Sequence, residues 1–437
     1  MNKPMILILL LSLTVLWLPA EVDRLNYSRA LSIALKENLK IRMARNNILI
    51  ASRNAHIGNA GLLPKLELSG DASYQEGGIG FEERETSTTT STQIQASYTL
   101  FDGLGNIFNW KKLQSGKRLG HLEARNQVEQ ILLEVSAAYY SAASAYEQMI
   151  ISEEMLQISQ ERLVRARKRS LYGRATTIEV LSAQVDFAAD QVILNRTRFL
   201  WEEACRNLNV LLNREVNHPF LVETAVSFQT DLQLENLKAR ALSSNASFLS
   251  TLEYLRQLQL DVKISSSVFY PRLVFSASYG LNQSIGGWGI SLNDPQENTR
   301  IGLNLQLNLF DGFKNIVQRK IAKIELKNQE LTVHDQRLTL EKNVINVYEA
   351  YKNNLLELDL QKQYVEAAEL NFKRTQELYN LGQVTTTQFR EAQINLIRSR
   401  SNVSTAKYEA KLKEIELIQL TGQLIPDWSS GETRSNQ

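Results

Sequence analysis

The sequence predicts an α+β membrane protein, made mostly of long coiled-coil α-helices with four transmembrane β-strands per chain. In the segment from Arg300 to Gly312, Ile and Leu alternate with Gly, Asn and Gln, which gives a strand one apolar and one polar face. An earlier copy runs from Ile94 to Gly103, so that Phe101 and Phe310 match at an offset of 209 residues. Each copy leads into a long helical pattern. The chain is therefore two copies of one unit.

The first 20 residues predict a signal peptide with cleavage after Ala20. Lys3 supplies the positive start, and the run from Met5 to Leu18 is apolar apart from two hydroxyl residues. An uncleaved anchor is the alternative, disfavoured because the run is shorter than a membrane span. No Cys lies near the cleavage point, so a lipid anchor is not expected there. The mature chain is predicted to be exported.

Composition excludes several classes of function. The net charge of +2 gives no electrostatic basis for binding nucleic acid. A mean hydropathy of −0.26, with no later apolar run of about 18 residues, argues against membrane-spanning helices. Cys205 is the only cysteine and fits a small buried side chain in a helix. The four His residues are scattered without metal-ligand spacing, so neither a metal site nor a cofactor is predicted.

The first repeat, residues 21–225, begins with a predicted helix from Leu25 to Ala60. A β-hairpin follows at 64–101, with a polar loop from Gly77 to Ser91 between its strands. Its long alternating strands are typical of a transmembrane barrel hairpin, with the apolar face toward lipid. A soluble, half-buried hairpin shows the same alternation and stays an alternative. A helical hairpin at 104–212 turns at Tyr172 to Thr176, and its long helix has a seam of small residues.

The second repeat, residues 226–425, has the same order. After a connector at 213–233, a helix is predicted from Leu234 to Ser266. A β-hairpin at 271–310 and a helical hairpin at 313–421 follow, and 426–437 is a polar tail. Four strands cannot close a barrel around a lumen, and open edges are not tolerated in lipid. Three chains would supply about twelve strands, and their helices would continue the barrel as a second, helical cylinder.

The whole mature chain resembles the TolC-like outer-membrane efflux proteins. The resemblance rests on the two-fold repeat, the strands led by Pro64 and Pro271, the Leu-Phe-Asp-Gly junctions and the paired Gly-x-x-Thr turns. It implies a homotrimer in the outer membrane of a Gram-negative bacterium, with a twelve-stranded barrel and a periplasmic α-helical barrel. Members serve as exit ducts of tripartite efflux pumps or type I secretion systems. Their partners are a periplasmic adaptor, an inner-membrane transporter and outer-membrane lipid.

The resemblance also implies roles for the hairpin tips. Its adaptor contacts fall on Gly173, Thr176, Gly382 and Thr385. The alternative, compatible with the first, is that the glycines turn the chain and the threonines cap the returning helices. The family's periplasmic gate and entrance positions fall on Glu179, Tyr379, Gln388 and Glu391. The gate arginine falls on Val384, so that link is absent, and one carboxylate ring, from Glu391, replaces two. Such a ring favours cations. The alternative is that Glu391 is an ordinary solvated residue of the helix.

The strand–helix junctions consist of Phe101, Asp102, Gly103, Phe310, Asp311 and Gly312. Each Asp is placed to cap the following helix, and no nucleophile or base nearby supports catalysis, so no enzyme is expected. A periplasmic or secreted coiled-coil structural protein with soluble hairpins is the alternative to a transport duct. Drug efflux, metal-ion efflux, small-metabolite export and protein secretion all stay open.

Overall fold

A computed structural model describes residues 23–77, 85–173, 175–285 and 296–425. The predicted signal peptide and polar tail lie outside these residues, as do Arg174 and parts of both predicted hairpin loops. The chain folds as a four-stranded sheet at one end of a long layer of helices. The elements are β1 (Asp23–Leu25), α1 (Tyr27–Glu37), α2 (Leu39–Asn54), a 3₁₀ turn (Ile57–Ala60), β2 (Lys65–Gly77), β3 (Glu85–Phe101), α3 (Gly105–Leu171), α4 (Thr177–Leu211), β4 (Phe220–Val222), α5 (Leu234–Ser244), α6 (Ala246–Ser267), β5 (Arg272–Ile285), β6 (Gln296–Gln306), α7 (Lys314–Asn380) and α8 (Thr386–Leu420).

The sheet has the strand order β2-β3-β5-β6, and every neighbouring pair is antiparallel. The contact between β3 and β5 joins the first repeat to the second, with Ile94 opposite Tyr279. The outer edges of β2 and β6 have no strand beside them among the described residues. The sheet therefore ends in two open edges, as the sequence predicted.

Several strand boundaries differ from the prediction, two of them with a clear cause. β3 starts at Glu85, inside the predicted loop, because residues from 85 onward pair with β2, and from Thr88 with β5 as well. The predicted fourth strand reaches Phe310, but β6 ends at Gln306. Gln306 pairs with Arg272, the first residue of β5, and the preceding Pro271 has no amide hydrogen to continue the ladder.

The helical segment before each β-hairpin was predicted as one helix, from Leu25 to Ala60 and from Leu234 to Ser266. This prediction is wrong, because each segment consists of two helices. Asn38 separates α1 from α2, and Asn245 separates α5 from α6. Each Asn side chain caps the second helix, by accepting from the amide of Ile41 or Phe248. Its Nδ2 donates to the last turn of the following helical hairpin, Leu211 O or Leu420 O. The break is thus fixed by a contact about 175 residues away along the chain.

A small parallel pair of strands, β1 with β4, was not predicted. β1 ends at Leu25, the first residue of the predicted helix, and β4 lies inside the predicted connector. The buried Tyr139 of α3 fastens the pair, because its hydroxyl lies 3.0 Å from Leu25 O and 3.2 Å from Glu223 O. The main hydrophobic core surrounds this point and joins α1, α2, α3, α4 and α8.

The four long helices lie side by side in the order α4-α3-α8-α7. α6 packs on both α3 and α7, whereas its counterpart in the first repeat, α2, packs on α3. None of the helices in the described ranges is long and apolar enough to cross a membrane. The described residues also contain no group of three or more His, Cys, Asp or Glu residues that could hold a metal ion.

Candidate functional site: hairpin tips and strand–helix junctions

The tip glycines turn the chain in the left-handed region, with φ of 69° at Gly173 and 77° at Gly382. Because this region is strained for residues with a Cβ atom, glycine is the residue that fits both turns. A Cβ atom built on either glycine would have no neighbour within 4 Å among the residues that the structure describes. Both tips are therefore sterically open in the isolated chain.

Thr176 and Thr385 are the N-caps of α4 and α8. Their Oγ1 atoms accept from the amides of Glu179 at 3.3 Å and Gln388 at 3.2 Å. In the second tip the Gln388 side chain returns the contact, since its Oε1 accepts from the Thr385 amide at 2.9 Å. The structure thus gives both threonines the predicted capping role, and it engages Gln388 in a reciprocal capping box.

The residues that the resemblance assigns to the gate and entrance are distributed over the two tips. Glu179 lies in the first turn of α4, where a carboxylate is stabilised by the helix dipole. The side chain of Tyr379 is buried, and its ring lies 4.7 Å from that of Phe389 within an apolar cluster of the second tip. Glu391 is exposed on the second turn of α8. Tyr379 therefore packs inside its own hairpin.

A buried polar network, which the sequence did not predict, joins the two helical hairpins beside the tips. Arg390 of α8 donates to both carboxylate oxygens of Asp190 of α4, at 2.7 Å each. Asp190 is fully buried, and Ser159 of α3 also donates to it. Gln393 completes the network by donating to Ser159 Oγ at 3.3 Å.

A second acidic residue extends this network toward α3. Nη1 of the buried Arg162 lies 2.8 Å from Asp186 Oδ2, an ion pair without hydrogen-bond alignment. Asp186 also lies 3.7 Å from Arg390. Burial alone would lower the pKa of the Arg390 guanidinium, but hydrogen bonds and charge from Asp190, with Asp186, outweigh it and raise that pKa. Asp186 and Asp190 are four residues apart and so share one face of α4. This spacing was the sequence signal that could have indicated the network.

The strand–helix junctions share one geometry. Asp102 Oδ2 accepts from the Asn106 amide at 2.8 Å, and Asp311 Oδ2 accepts from the Asn315 amide at 3.0 Å. These contacts confirm the predicted capping. The glycine and the following residue both have positive φ, at Gly103-Leu104 and at Gly312-Phe313.

The junctions differ in their surroundings. A Cβ atom on Gly103 would lie 2.4 Å from Ser267 O, whereas one on Gly312 would meet nothing within 4 Å. Phe310 is largely exposed and contacts Phe313 edge to face. The first junction is thus closed by the second repeat, and the second junction is open in the single chain.

A family model described as outer membrane efflux protein matches residues 30–214 and 237–423, which cover both repeats. The chain belongs to the outer membrane efflux protein family. It is 21% identical over 395 residues to the cation efflux system protein CusC of Escherichia coli O157:H7, covering 90% of this chain and 85% of that protein. Over 385 residues it is 21% identical to the outer membrane protein TolC of Vibrio cholerae, covering 83% of each.

The fold agrees with this assignment. The Campylobacter jejuni CmeC outer membrane channel superposes with a TM-score of 0.81 at 17% identity, over 93% of this chain and 88% of that one. The protein is an outer-membrane efflux duct of a Gram-negative bacterium, with an α+β fold and a large helical periplasmic portion. The alternative of a soluble coiled-coil structural protein is thereby excluded. The family is one of channels and not of enzymes.

Proposed function

We propose that three copies of this efflux protein assemble head to tail into one passive exit duct. The duct carries substrates from a periplasm-spanning transporter to the exterior, and the chain itself catalyses no reaction. One observation carries the proposal: each contact between the two repeats of a chain has a counterpart surface that is unpaired in the single chain. A head-to-tail contact that closes on itself produces a ring.

The sheet edges supply the first such surface. Within the chain, β3 pairs with β5. The counterpart contact joins β6 to β2 of the next copy. Applying the repeat offsets of 209 and 207 residues to Ile94 and Tyr279 places Leu303 opposite Ala72 of the next copy. Three copies would then close about twelve strands without an open edge.

The long helices supply the second surface. Within the chain, α3 packs on α8, so the counterpart contact is α7 on α4 of the next copy. Exposed apolar side chains follow the outer face of α4 at steps of three, four and seven residues, and several more lie on α7. A seam of this kind is typical of helices that pack as a coiled coil. The α4 residues are Ile178, Leu181, Val185 and Val192, and those on α7 include Leu356, Leu360 and Leu370.

The third surface involves α2. Within the chain, Lys112 and Ser115 of α3 contact Asp261 and Glu253 of α6. The positions on α7 that match Lys112 and Ser115 are Ile321 and Ile324, both exposed. On α2, Met43 and Ile50 are exposed as well. We therefore place α2 of the next copy on this apolar face of α7.

We also propose that the tips form the periplasmic end of the duct. Gly173, Thr176, Gly382 and Thr385 would contact a periplasmic adaptor, which couples the duct to an inner-membrane transporter. The open space around both glycines supports this role, because a partner backbone can approach there. Glu179, Tyr379, Gln388 and Glu391 would lie at the entrance.

The test is a disulfide between copies at the predicted strand register. Ser97 faces Ser276 inside the chain, and the counterpart pair is Gln306 with Ser69 of the next copy. In a Cys205→Ala background, oxidised Ser69→Cys/Gln306→Cys protein should run as covalent dimers and trimers on non-reducing gels. The matched control, Ser97→Cys/Ser276→Cys, should form its disulfide within a single chain. Monomers from the first pair, alongside an oxidised control, would rule out the assembly.

A further inference from the structure

The two contacts between helical hairpins differ in charge. We call the contact of α3 and α4 with α8 the intrachain seam, and the contact of α7 and α8 with α4 of the next copy the interchain seam. The interchain seam rests on the proposed trimer. Three cations of α8 form ion pairs across the intrachain seam in the described part of the chain. These pairs are Arg390–Asp190, Arg400–Glu154 and Lys407–Glu147.

Counterpart positions across the interchain seam contain no matching ion pair. The Arg390–Asp190 pair corresponds to Leu181 with Ser399. The Arg400–Glu154 pair corresponds to Gln191 with Gln363, and the Lys407–Glu147 pair corresponds to Arg198 with Leu356. The repeat thus keeps the geometry of the seam but lacks its paired charges.

The buried pair contributes most to this difference. Exposed ion pairs add little, and both Arg400 and Glu154 are exposed. The side chain of Asp190 is 0% exposed and that of Arg390 16%, and both are held by further hydrogen bonds to Ser159 and Gln393. Separating the hairpins here would break the bidentate contact and leave Asp190 with only Ser159, and Arg390 with only Gln393, as a polar partner. Breaking a buried ion pair in this way is strongly unfavourable. The counterpart residues Leu181 and Ser399 carry no charge, so separating them breaks no ion pair.

We infer that the two helical hairpins of one chain move as a single unit, fastened by the network of Arg390, Asp190, Asp186, Arg162, Ser159 and Gln393. The helical cylinder therefore consists of three rigid four-helix units. A change of its bore at the periplasmic end takes place at the three interchain seams and leaves the three intrachain seams closed.

A pair of matched cysteines tests this inference. Ile158 of α3 packs against the α7/α8 cluster across the intrachain seam. Its counterpart, Ala367 of α7, lies on the interchain seam, 209 residues later. In the full-length trimer with Cys205→Ala, Ile158→Cys and Ala367→Cys are reacted separately with a large poly(ethylene glycol) maleimide. Ile158 is half-buried while the seam is closed, so a reagent of that size reacts slowly with a thiol there and faster when the helices separate.

We expect Ala367→Cys to react at least about tenfold faster than Ile158→Cys. A tenfold ratio requires a difference of only about 1.4 kcal/mol between the free energies of opening the two seams. Adding Arg390→Leu should accelerate the reaction of Ile158→Cys by a similar factor, whereas Arg398→Leu, at an exposed position of α8, should leave it unchanged. Equal rates at the two cysteines, or no effect of Arg390→Leu, would overturn the inference. If the particle has the mass of a single chain, the proposed trimer is refuted. The protection of Ile158→Cys would still report on the intrachain seam in that case.

Discussion

Asp190 combines complete burial with a bidentate contact to Arg390 and a third bond from Ser159. Asp190→Ala should lower the free energy of unfolding by about 3 to 5 kcal/mol, because it removes the bidentate partner of the largely buried Arg390 guanidinium. The double variant Asp190→Leu/Arg390→Leu should recover most of that loss, since an apolar pair needs no partner. Denaturant unfolding followed by circular dichroism measures both. A double variant no better than the single one would contradict this account.

Glu253 gives the contact between α3 and α6 a dependence on pH. Burial raises its pKa, but hydrogen bonds from Arg118 and Ser115 and the charges of Arg118 and Arg256 outweigh burial, so the pKa lies below its ordinary value of 4.5. A lowered pKa adds stability to the folded state. This stability is complete above the unfolded-state pKa and is lost as pH falls through the folded-state pKa. Glu253→Gln should therefore reduce the fall in melting temperature on acidification below about pH 4.5. Glu235→Gln, at an exposed carboxylate of α5, is the matched control and should keep the wild-type profile.

Glu391 is the carboxylate expected to act on ion flow. In a trimer, three copies form one ring at the entrance, and such a ring favours cations over anions. Glu391→Gln should shift the reversal potential in a salt gradient toward anions, measured by single-channel recording in a planar bilayer. Glu391→Asp keeps the charge and should keep the selectivity. If the Gln variant is as cation-selective as the parent, Glu391 is an ordinary solvated helix residue.

At the scale of elements, the two strand–helix junctions provide a matched comparison. Gly103 and Gly312 have nearly equal φ, so Ala at either position carries a left-handed penalty of about 1 to 2 kcal/mol. Only at Gly103 would the new Cβ also collide with Ser267 O inside the chain. Gly103→Ala should lower the unfolding temperature of the chain.

Gly312→Ala should instead reduce the trimer fraction seen by analytical ultracentrifugation. In the proposed ring the second junction meets the 3₁₀ turn of the next copy, at the positions that match Ser267 and Tyr270 of this chain, Ala60 and Leu63. An unchanged trimer fraction would mean that the second junction stays open in the assembly.

The long helices were predictable to within a residue or two, because their periodic pattern and their Gly-x-x-Thr turns are local signals. The breaks at Asn38 and Asn245 were not predictable in this way. An Asn inside a helical pattern is ordinary, and the carbonyl groups it reaches, Leu211 and Leu420, come from a distant helix. The three-residue strands β1 and β4 are too short to show alternation. Strand ends likewise depended on the neighbouring strand and not on the pattern.

At the tips, too, the sequence predicted local contacts but not contacts between distant parts of the chain. Capping by Thr176 and Thr385 follows from neighbours in sequence, and the sequence predicted it. The contact of Arg390 with Asp190 spans 200 residues and arises from helix packing alone. Without that packing, both residues read as charges on a solvated helix face.

At the scale of the whole molecule, the repeat does more than double the structure. The three contacts that join the halves, β3 with β5, α3 with α8 and α3 with α6, define what the free surfaces should bind. The intrachain versions include polar contacts such as Lys112–Asp261 and Arg118–Glu253, whereas the free surfaces expose Ile and Leu. A chain folding alone can form the polar contacts first, and the apolar surfaces remain for the burial that drives association.

The α7 face gives the sharpest test of this assembly. Ile324 is 60% exposed, and its counterpart, Ser115, lies 2.6 Å from Glu253 of α6. Ile324→Asp should place a carboxylate against α2 of the next copy and shift the protein from trimers to monomers in analytical ultracentrifugation. The position on α2 that matches Glu253 is Asn46, which is exposed in the single chain. Adding Asn46→Lys should restore trimers, because it places an ammonium group opposite the new carboxylate, at the positions that match Glu253 and Ser115. Trimers that persist in Ile324→Asp, or monomers that persist after Asn46→Lys, would show that α7 does not meet α2 of the next copy.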